Sequence, residues 1–294
     1  MPDRLLIFGS TGMLGQALTR EAKARGFEVI GAARKNADIK VDFSQLYDGH
    51  VWNAITKVDP DLIINCAAIT DHDLCEKDPK LADLVNNQAP KNIAQACNEP
   101  WTNIPFTEIS TDCFFTGDKD KKHDELDLTT IVNWYARSKR TAENHVLNYN
   151  GLVIRTNITG LRGWEKPTFF EWAVKSLLSH EPIKVFTDYY TSTCDTGTVS
   201  KAILDLQGQA GLINVASSEV SSKAQFIAAL ATELGVLCNG TTASVTSLPS
   251  KRAESCGLDV SKAEKLLGYE LPGLKRVVGN LCATLRNSDL AAAR

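Results

Sequence analysis

Excess positive charge is the first thing this 294-residue chain lacks: 32 Lys and Arg stand against 35 Asp and Glu, a formal net charge of -3. Without a broad basic field, nucleic acid is not an expected partner, and small molecules are. Long apolar runs are missing too. The longest are strand-sized, well short of the ~20 residues that cross a bilayer, so no membrane span is expected. Met1 to Arg4 lead straight into Leu5 to Phe8 without the basic start, apolar middle and cleavage site of a secretory leader. The expectation is a cytoplasmic protein. The eight cysteines, at 66, 75, 97, 113, 194, 238, 256 and 282, form no Cys-x-x-Cys pair and no zinc-ligand spacing with any of the five histidines. They are expected to be reduced thiols, and no metal site is expected. Asn157-Ile-Thr and Asn239-Gly-Thr match the glycosylation sequon, but with no secretory signal they read as chance matches. No repeat or low-complexity tract appears, and only Ser288 to Arg294 reads as a loose tail.

What is present is an alternation. Leu5 to Phe8, Glu28 to Gly31, Leu62 to Asn65, Phe106 to Ser110 and Leu152 to Arg155 read as strands. Leu14 to Ala24, Leu81 to Cys97 and Tyr135 to Leu147 lie between them with apolar positions at helical spacing. Strand and helix in turn imply an α/β fold, a doubly wound parallel sheet of the Rossmann kind covered on both faces. After Arg155 the rhythm weakens, and Trp164, Pro167, Phe169, Phe170 and Trp172 open a less regular region. A smaller, interleaved α+β substrate domain is expected there. It contains a helix at Phe226 to Leu234 and another at Ser261 to Leu267, with Ser261 as N-cap, Glu264 at its third helical position and Gly268 beyond its end. Leu212 to Ala216 reads as a strand returning to the first sheet. The domains are therefore drawn as 1–160 with 196–217 for the dinucleotide, and 161–195 with 218–294 for the substrate.

Directly after the first strand comes Gly9-Ser-Thr11-Gly12-Met13-Leu14-Gly15, opening a helix. Glycines there allow a tight turn and close approach to a pyrophosphate, whose charge is met by N–H groups and the positive helix end. Their spacing is G-x-x-G-x-x-G, and the same glycines would also serve a purely structural turn. Where an NAD site would place an acid after the second strand, this chain has Ala33-Arg34-Lys35. Arg34 and Lys35 favour a 2′-phosphate and hence NADP(H), with NAD(H) as the alternative, although a solvated basic turn reads the same way. Asp42 and Phe43 are placed along the adenine, and Cys66, Ala67 and Ala68 end a strand with small residues suited to passage of the cofactor.

Tyr135-Ala-Arg-Ser-Lys139 sets a phenol and an ammonium four residues apart on one helix face. A nearby cation favours the phenolate, which brings proton exchange with a substrate oxygen toward neutral pH. Such a pair alone is common on surfaces; its meaning comes from Ser110-Thr111-Asp112 at a strand's carboxyl end, where open α/β sheets bind ligands. A hydroxyl there could polarise the same carbonyl.

With these residues in place the chain resembles the extended short-chain dehydrogenase/reductases, and within them the dTDP-4-dehydrorhamnose reductase group. The resemblance covers nearly the whole chain and rests on the Gly9 to Gly15 turn, Asn65-Cys-Ala-Ala68-Ile-Thr70, Val85-Asn86, Ile109-Ser-Thr111-Asp112, Tyr135 to Lys139 and Val153-Ile-Arg155-Thr156. It implies Thr111, Tyr135 and Lys139 as catalytic residues in NAD(P)H-dependent reduction of a keto group on a nucleotide-linked sugar. It also implies Lys139, Thr70 and Asn86 at the cofactor, although a buried Asn closing a helix or strand end reads equally well for Asn86. Asp112, Asn157, Asp188, Tyr190 and Thr193 are implied at the substrate. Two departures leave the sugar open: Asn157-Ile158 stands where the group carries a Trp, and the loop Phe186 to Thr193 lacks a customary Pro. An epimerase or dehydratase, and a non-catalytic regulatory subunit like that of methionine adenosyltransferase, share the fold and remain alternatives. A homodimer is left open as partner.

Overall fold

The computed structural model describes residues 3–45, 49–100, 102–163 and 167–288; Trp164 and the tail residues 289–294 lie outside them. Seven strands form one sheet: β1 (Arg4–Phe8), β2 (Glu28–Ala33), β3 (Ile39–Lys40), β4 (Leu62–Asn65), β5 (Phe106–Ile109), β6 (Leu152–Arg155) and β7 (Gly211–Asn214). Their order is β7-β6-β5-β4-β1-β2-β3. Pairing is parallel from β3 through β6. The expected return of the chain to the first sheet is seen at β7, beside β6, where the Gly211 N–H donates to the Gly151 carbonyl at 3.0 Å.

The chain divides into two compact units, one of residues 1–111, 131–155 and 200–213, the other of 112–130, 156–199 and 214–294. In the first unit, Leu5, Leu6 and Ile7 are wholly buried. That is why β1 reads as an unbroken apolar run: helices cover a parallel sheet on both faces, so alternation has no purpose. The covering helices include α1 (Met13–Ala24), α2 (Gly49–Val58), α3 (Ala89–Cys97) and α4 (Trp134–Asn148). Leu14, Ala17, Leu18 and Ala22 form the buried stripe of α1 at helical spacing.

The expected single helix Leu81 to Cys97 is instead three pieces: Pro79–Asp83, a π-helical turn at Leu84–Gln88, and α3. Pro90 in the first turn of α3 supplies the reason, because it has no N–H for the carbonyl four residues back and the ladder must change register before it.

In the second unit the pairings are short: Ile158–Thr159 with Cys194–Asp195, Ser221–Ser222 with Tyr190–Thr191, Ser255–Cys256 with Tyr190–Thr191, and Gly240–Ala243 with Ile183–Phe186. The aromatic cluster Phe169, Phe170 and Trp172 lies on a regular helix, Phe169–Leu178, which Thr168 and Glu171 open with a reciprocal capping box. A second capping box, Ser222 with Gln225, opens Lys223–Leu234, and Gly235 closes it at φ 69°. Ser261 is not the N-cap expected of it. Val260 holds that position, and the Ser261 N–H is satisfied by the Asp259 carboxylate at 2.8 Å. Glu264 turns away to accept from the Leu271 N–H, also at 2.8 Å, while Gly268 ends the helix as expected at φ 73°. Among the described residues no helix is long and apolar enough to cross a membrane.

One ion pair braces the inner face of α4. Arg155, 2 % exposed, donates from Nε and Nη2 to both carboxylate oxygens of Glu143 at 2.8 Å, and the Ser110 hydroxyl donates to Oε1 at 2.7 Å. Glu143→Leu strands a buried guanidinium and is expected to lower stability by about 3–5 kcal/mol, measured as a lower urea midpoint at unchanged m. Adding Arg155→Met is expected to recover most of the loss; a double variant as unstable as the single one would contradict this account.

Candidate active site

The glycine turn follows the carboxyl end of β1, and backbone proximity explains two of its glycines. Gly9 has φ 75°, and a Cβ built on it would lie 2.6 Å from the Ala67 nitrogen beyond β4. A Cβ on Gly15 would lie 2.7 Å from the Ser10 Cα. Gly12 is the N-cap of α1, and no side chain caps that helix end. The leading N–H groups of α1 are thus left to a ligand or to water, the arrangement that accepts an anion. Met13 begins the helix, Leu14 is buried in the core, and Thr11 is half-buried.

Across from the turn, Cys66, Ala67 and Ala68 are half-buried and Thr70 is exposed. Burial pushes the Cys66 thiol well up, with the Glu108 charge adding to the effect. Arg34 and Lys35 are exposed after β2. An acid the sequence reading missed, Asp38, also reaches this strand, accepting from the Gly31 N–H at 2.8 Å. The Asp42 carboxyl is held below its usual range by the Ser44 hydroxyl, with the Ser44 N–H also donating. Phe43 is buried against Phe8, ring centroids 5.5 Å apart, so packing already uses one of its faces. Asn86, in the π-helical turn, accepts from the Ile69 N–H at 2.7 Å, donates back to the Ile69 carbonyl at 3.0 Å and reaches the Ser138 hydroxyl at 3.3 Å. Its amide therefore ties the loop after β4 to α4.

Tyr135 and Lys139 lie on the buried face of α4, 7 % and 1 % exposed. The start of that helix is well held: the Asn133 side chain accepts from the Ala136 N–H at 2.8 Å, and Glu76 accepts from the Trp134 N–H at 2.6 Å. A further residue missed in the sequence, His72, sets its ring 4.4 Å from that of Tyr135 and shares a 3.1 Å bond with the Asn133 amide. The Lys139 ammonium lies 2.5 Å from Glu108 Oε1 on β5. Thr111 is buried just past the end of β5. Its neighbour Ser110 donates its hydroxyl to Glu143.

The second unit gathers three of the residues assigned to the substrate. Asn157 donates to Asp112 Oδ2 at 2.7 Å, and the Thr193 hydroxyl donates to Asn157 Oδ1 at 2.7 Å. Lys223, which no sequence signal marked beyond its place after the Ser222 cap, donates to Thr193 at 3.1 Å. Burial pushes the Asp112 carboxyl well above its usual range and the Lys223 ammonium down, while each charge opposes the shift in the other. Asp188 is not in this group. It accepts from the Ser244 hydroxyl at 2.6 Å and the Val245 N–H at 2.8 Å, bonds that hold its carboxyl low against the opposing effect of burial. Tyr190 is half-buried in its short strand. Two cysteines scattered in sequence meet beside Asp112: the Cys113 and Cys256 sulfurs and an Asp112 oxygen lie within 4.8 Å of one another, all buried.

The profile of the family described as "RmlD substrate binding domain" matches residues 3–287. The chain belongs to this family. Among members of the RmlD family, a probable low-salt glycan biosynthesis reductase of Haloferax volcanii is 30 % identical over 283 residues, covering 92 % of this chain and 94 % of that protein. The crystal structure of a hypothetical dTDP-4-dehydrorhamnose reductase from Sulfolobus tokodaii superposes with a TM-score of 0.80 at 29 % identity, covering 90 % of this chain and 95 % of that one. That of a Bacillus anthracis dTDP-4-dehydrorhamnose reductase in complex with NADP superposes with a TM-score of 0.86 at 22 % identity, covering 97 % and 100 %. The fold expected from the strand and helix alternation is thereby that of the RmlD family.

Gly9→Ala is the sharpest test of the turn, because the new Cβ meets backbone and the φ is one that side chains avoid. The expected result is a stability loss of about 1–3 kcal/mol together with weakened dinucleotide binding, the first read by denaturation and the second by fluorescence titration. Unchanged stability and affinity would show that the turn yields freely.

Proposed function

We propose that this chain is an NADP(H)-dependent reductase of the keto group of a nucleotide-linked deoxysugar, of the dTDP-4-dehydrorhamnose reductase kind. The observation that carries the reading is the buried face of α4, where Tyr135 and Lys139 sit one turn apart with the ammonium held from below. The uncapped glycine turn in the same unit suits a dinucleotide pyrophosphate. The family's named reductases support the same class of reaction. Eight free thiols fit a reducing, cytoplasmic setting.

When bound, the reduced nicotinamide supplies a hydride to the keto carbon. Tyr135 hands its phenolic proton to the oxygen that becomes an alkoxide. Lys139 lends positive charge that eases release of that proton, and is assigned to the nicotinamide ribose. Thr111 donates a hydrogen bond to the carbonyl oxygen as negative charge builds there. Asp112, Asn157 and Thr193, joined by Lys223, are assigned to recognition of sugar hydroxyls, where one mismatched polar group matters more than one methyl. An epimerase or dehydratase would return its cofactor unchanged, so net oxidation of NADPH separates the reactions.

The test is a panel of nucleotide-linked keto sugars, with NADPH oxidation followed by absorbance. Tyr135→Phe is expected to lower kcat by ~10² to 10⁴-fold while the cofactor Kd stays within about twofold. A variant retaining most of its turnover would remove Tyr135 from the role of acid.

Cofactor choice is tested at β2. Arg34→Ala is expected to weaken NADPH binding by about tenfold, as for loss of one charge-assisted phosphate contact, and to leave NADH nearly untouched. Equal loss for both cofactors, or for neither, would remove Arg34 from the choice between them.

A further inference from the structure

Glu108 has no exposed surface and stands near the carboxyl end of β5, two residues before Ser110. A carboxylate there carries a large desolvation penalty unless its partners are strong and complete. Both of its oxygens are engaged. Oε1 accepts from the Lys139 ammonium at 2.5 Å, and Oε2 accepts from the Asn65 amide at 2.7 Å. Asn65 faces Glu108 across the parallel β4–β5 pairing, and its own carbonyl oxygen accepts from the Ala67 N–H at 3.1 Å. A continuous chain of bonds therefore runs from the strand end that Gly9 approaches, through Asn65 and Glu108, to Lys139 Nζ.

Packing alone would not call for such a pair, since apolar residues of similar volume commonly replace buried ion pairs without loss. The arrangement does two things for Lys139: it fixes the ammonium at one point, and it sets a carboxylate directly against it.

We propose that Glu108 is the positioning and charge-compensating residue of Lys139, holding the ammonium in place and keeping the Tyr135 phenol protonated for delivery to the substrate oxygen. The proposal rests on the reading of Tyr135 as the acid. The other charged and titratable groups around the pair come from each element packed on it. Cys66 approaches from the end of β4, and its thiol is pushed up by burial and by Glu108, so it stays neutral. Glu143 on α4 is clamped by Arg155 from β6. His72 borders the phenol, its ring centroid 4.4 Å from that of Tyr135. Glu108 itself is pushed up by burial, opposed by Lys139 and Asn65. The phenolic proton of Tyr135 is the one the proposal follows.

Glu108→Gln keeps the shape and an acceptor for the Asn65 amide while removing the charge. The ammonium, no longer balanced, favours the phenolate and draws the Tyr135 proton off at lower pH, which stops turnover in the reducing direction. The alkaline limb of kcat is therefore expected to move down by about one pH unit or more. Glu108→Asp, which keeps a carboxylate but withdraws it by one methylene, is expected to move it less, and carries the test should the Gln variant not fold.

A second readout needs no substrate: phenolate absorbance against pH, taken as the difference between each protein and its Tyr135→Phe counterpart. Its midpoint is expected to fall in the Glu108 variants, or the ordered Tyr135 signal to split from the parent's in the same direction. An unmoved midpoint, with kcat lowered evenly at every pH, would overturn the proposal and leave Glu108 a packing residue. If the parent enzyme reduces no nucleotide-linked sugar while the Glu108 variants still show the lowered phenolate midpoint, the functional reading is overturned and the Glu108 assignment kept.

Discussion

Parallel pairing of β1 with β2 and β4, and of β4 with β5, makes Phe8, Asn65 and Ile109 end on one edge of the sheet, and the candidate groups of the first unit grow from those ends. The glycine turn continues β1, Cys66 to Ala68 continue β4, and Ser110 and Thr111 continue β5. Close approach of Gly9 to Ala67 is the contact that lets the first two of these meet. Had Gly9 carried a side chain, it would have met the Ala67 backbone and the turn would have had to stand off.

Placing so many polar groups at sheet ends requires that each be matched beneath the surface, and the first unit does this with two buried carboxylates on different elements. Glu143 neutralises Arg155 and takes the Ser110 hydroxyl; Glu108 neutralises Lys139 and takes the Asn65 amide. Each of the two buried cations, Arg155 and Lys139, is thus held by a carboxylate of its own. Asn86 is bonded at both ends of its amide, to Ile69 and to Ser138. In the second unit the same logic assembles Asp112, Asn157, Thr193 and Lys223, with opposite charges limiting each other's shifts.

Much of this was legible in one dimension because it is governed by local rules. The five strands read from apolar runs, the helix of Tyr135 and Lys139, the glycine turn and the return strand near Leu212 all appear within a few residues of where periodicity set them. The errors have local causes as well. Pro90 broke a long helix into three, because a missing N–H matters more than the apolar period around it. Ser261 is not the cap because the helix starts one residue earlier than its hydroxyl would need: Val260 is the N-cap, and the Ser261 N–H donates to Asp259. The aromatic cluster near Phe169 passed for irregular chain, although Thr168 and Glu171 spell out a helix start.

By itself the sequence determined the order of strands and helices, the turn that only glycines allow, and the pair of residues one helical turn apart, since each depends on backbone geometry and spacing between near neighbours. Only the tertiary structure decided that Ser110 is bound away from Thr111, that Glu108 lies under Lys139 and His72 beside Tyr135, and that Cys113 meets Cys256. These contacts join residues 31, 33, 63 and 143 positions apart along the chain. No local pattern encodes such distances; they arise where strand register and helix packing bring side chains together, and burial then makes each pairing obligatory.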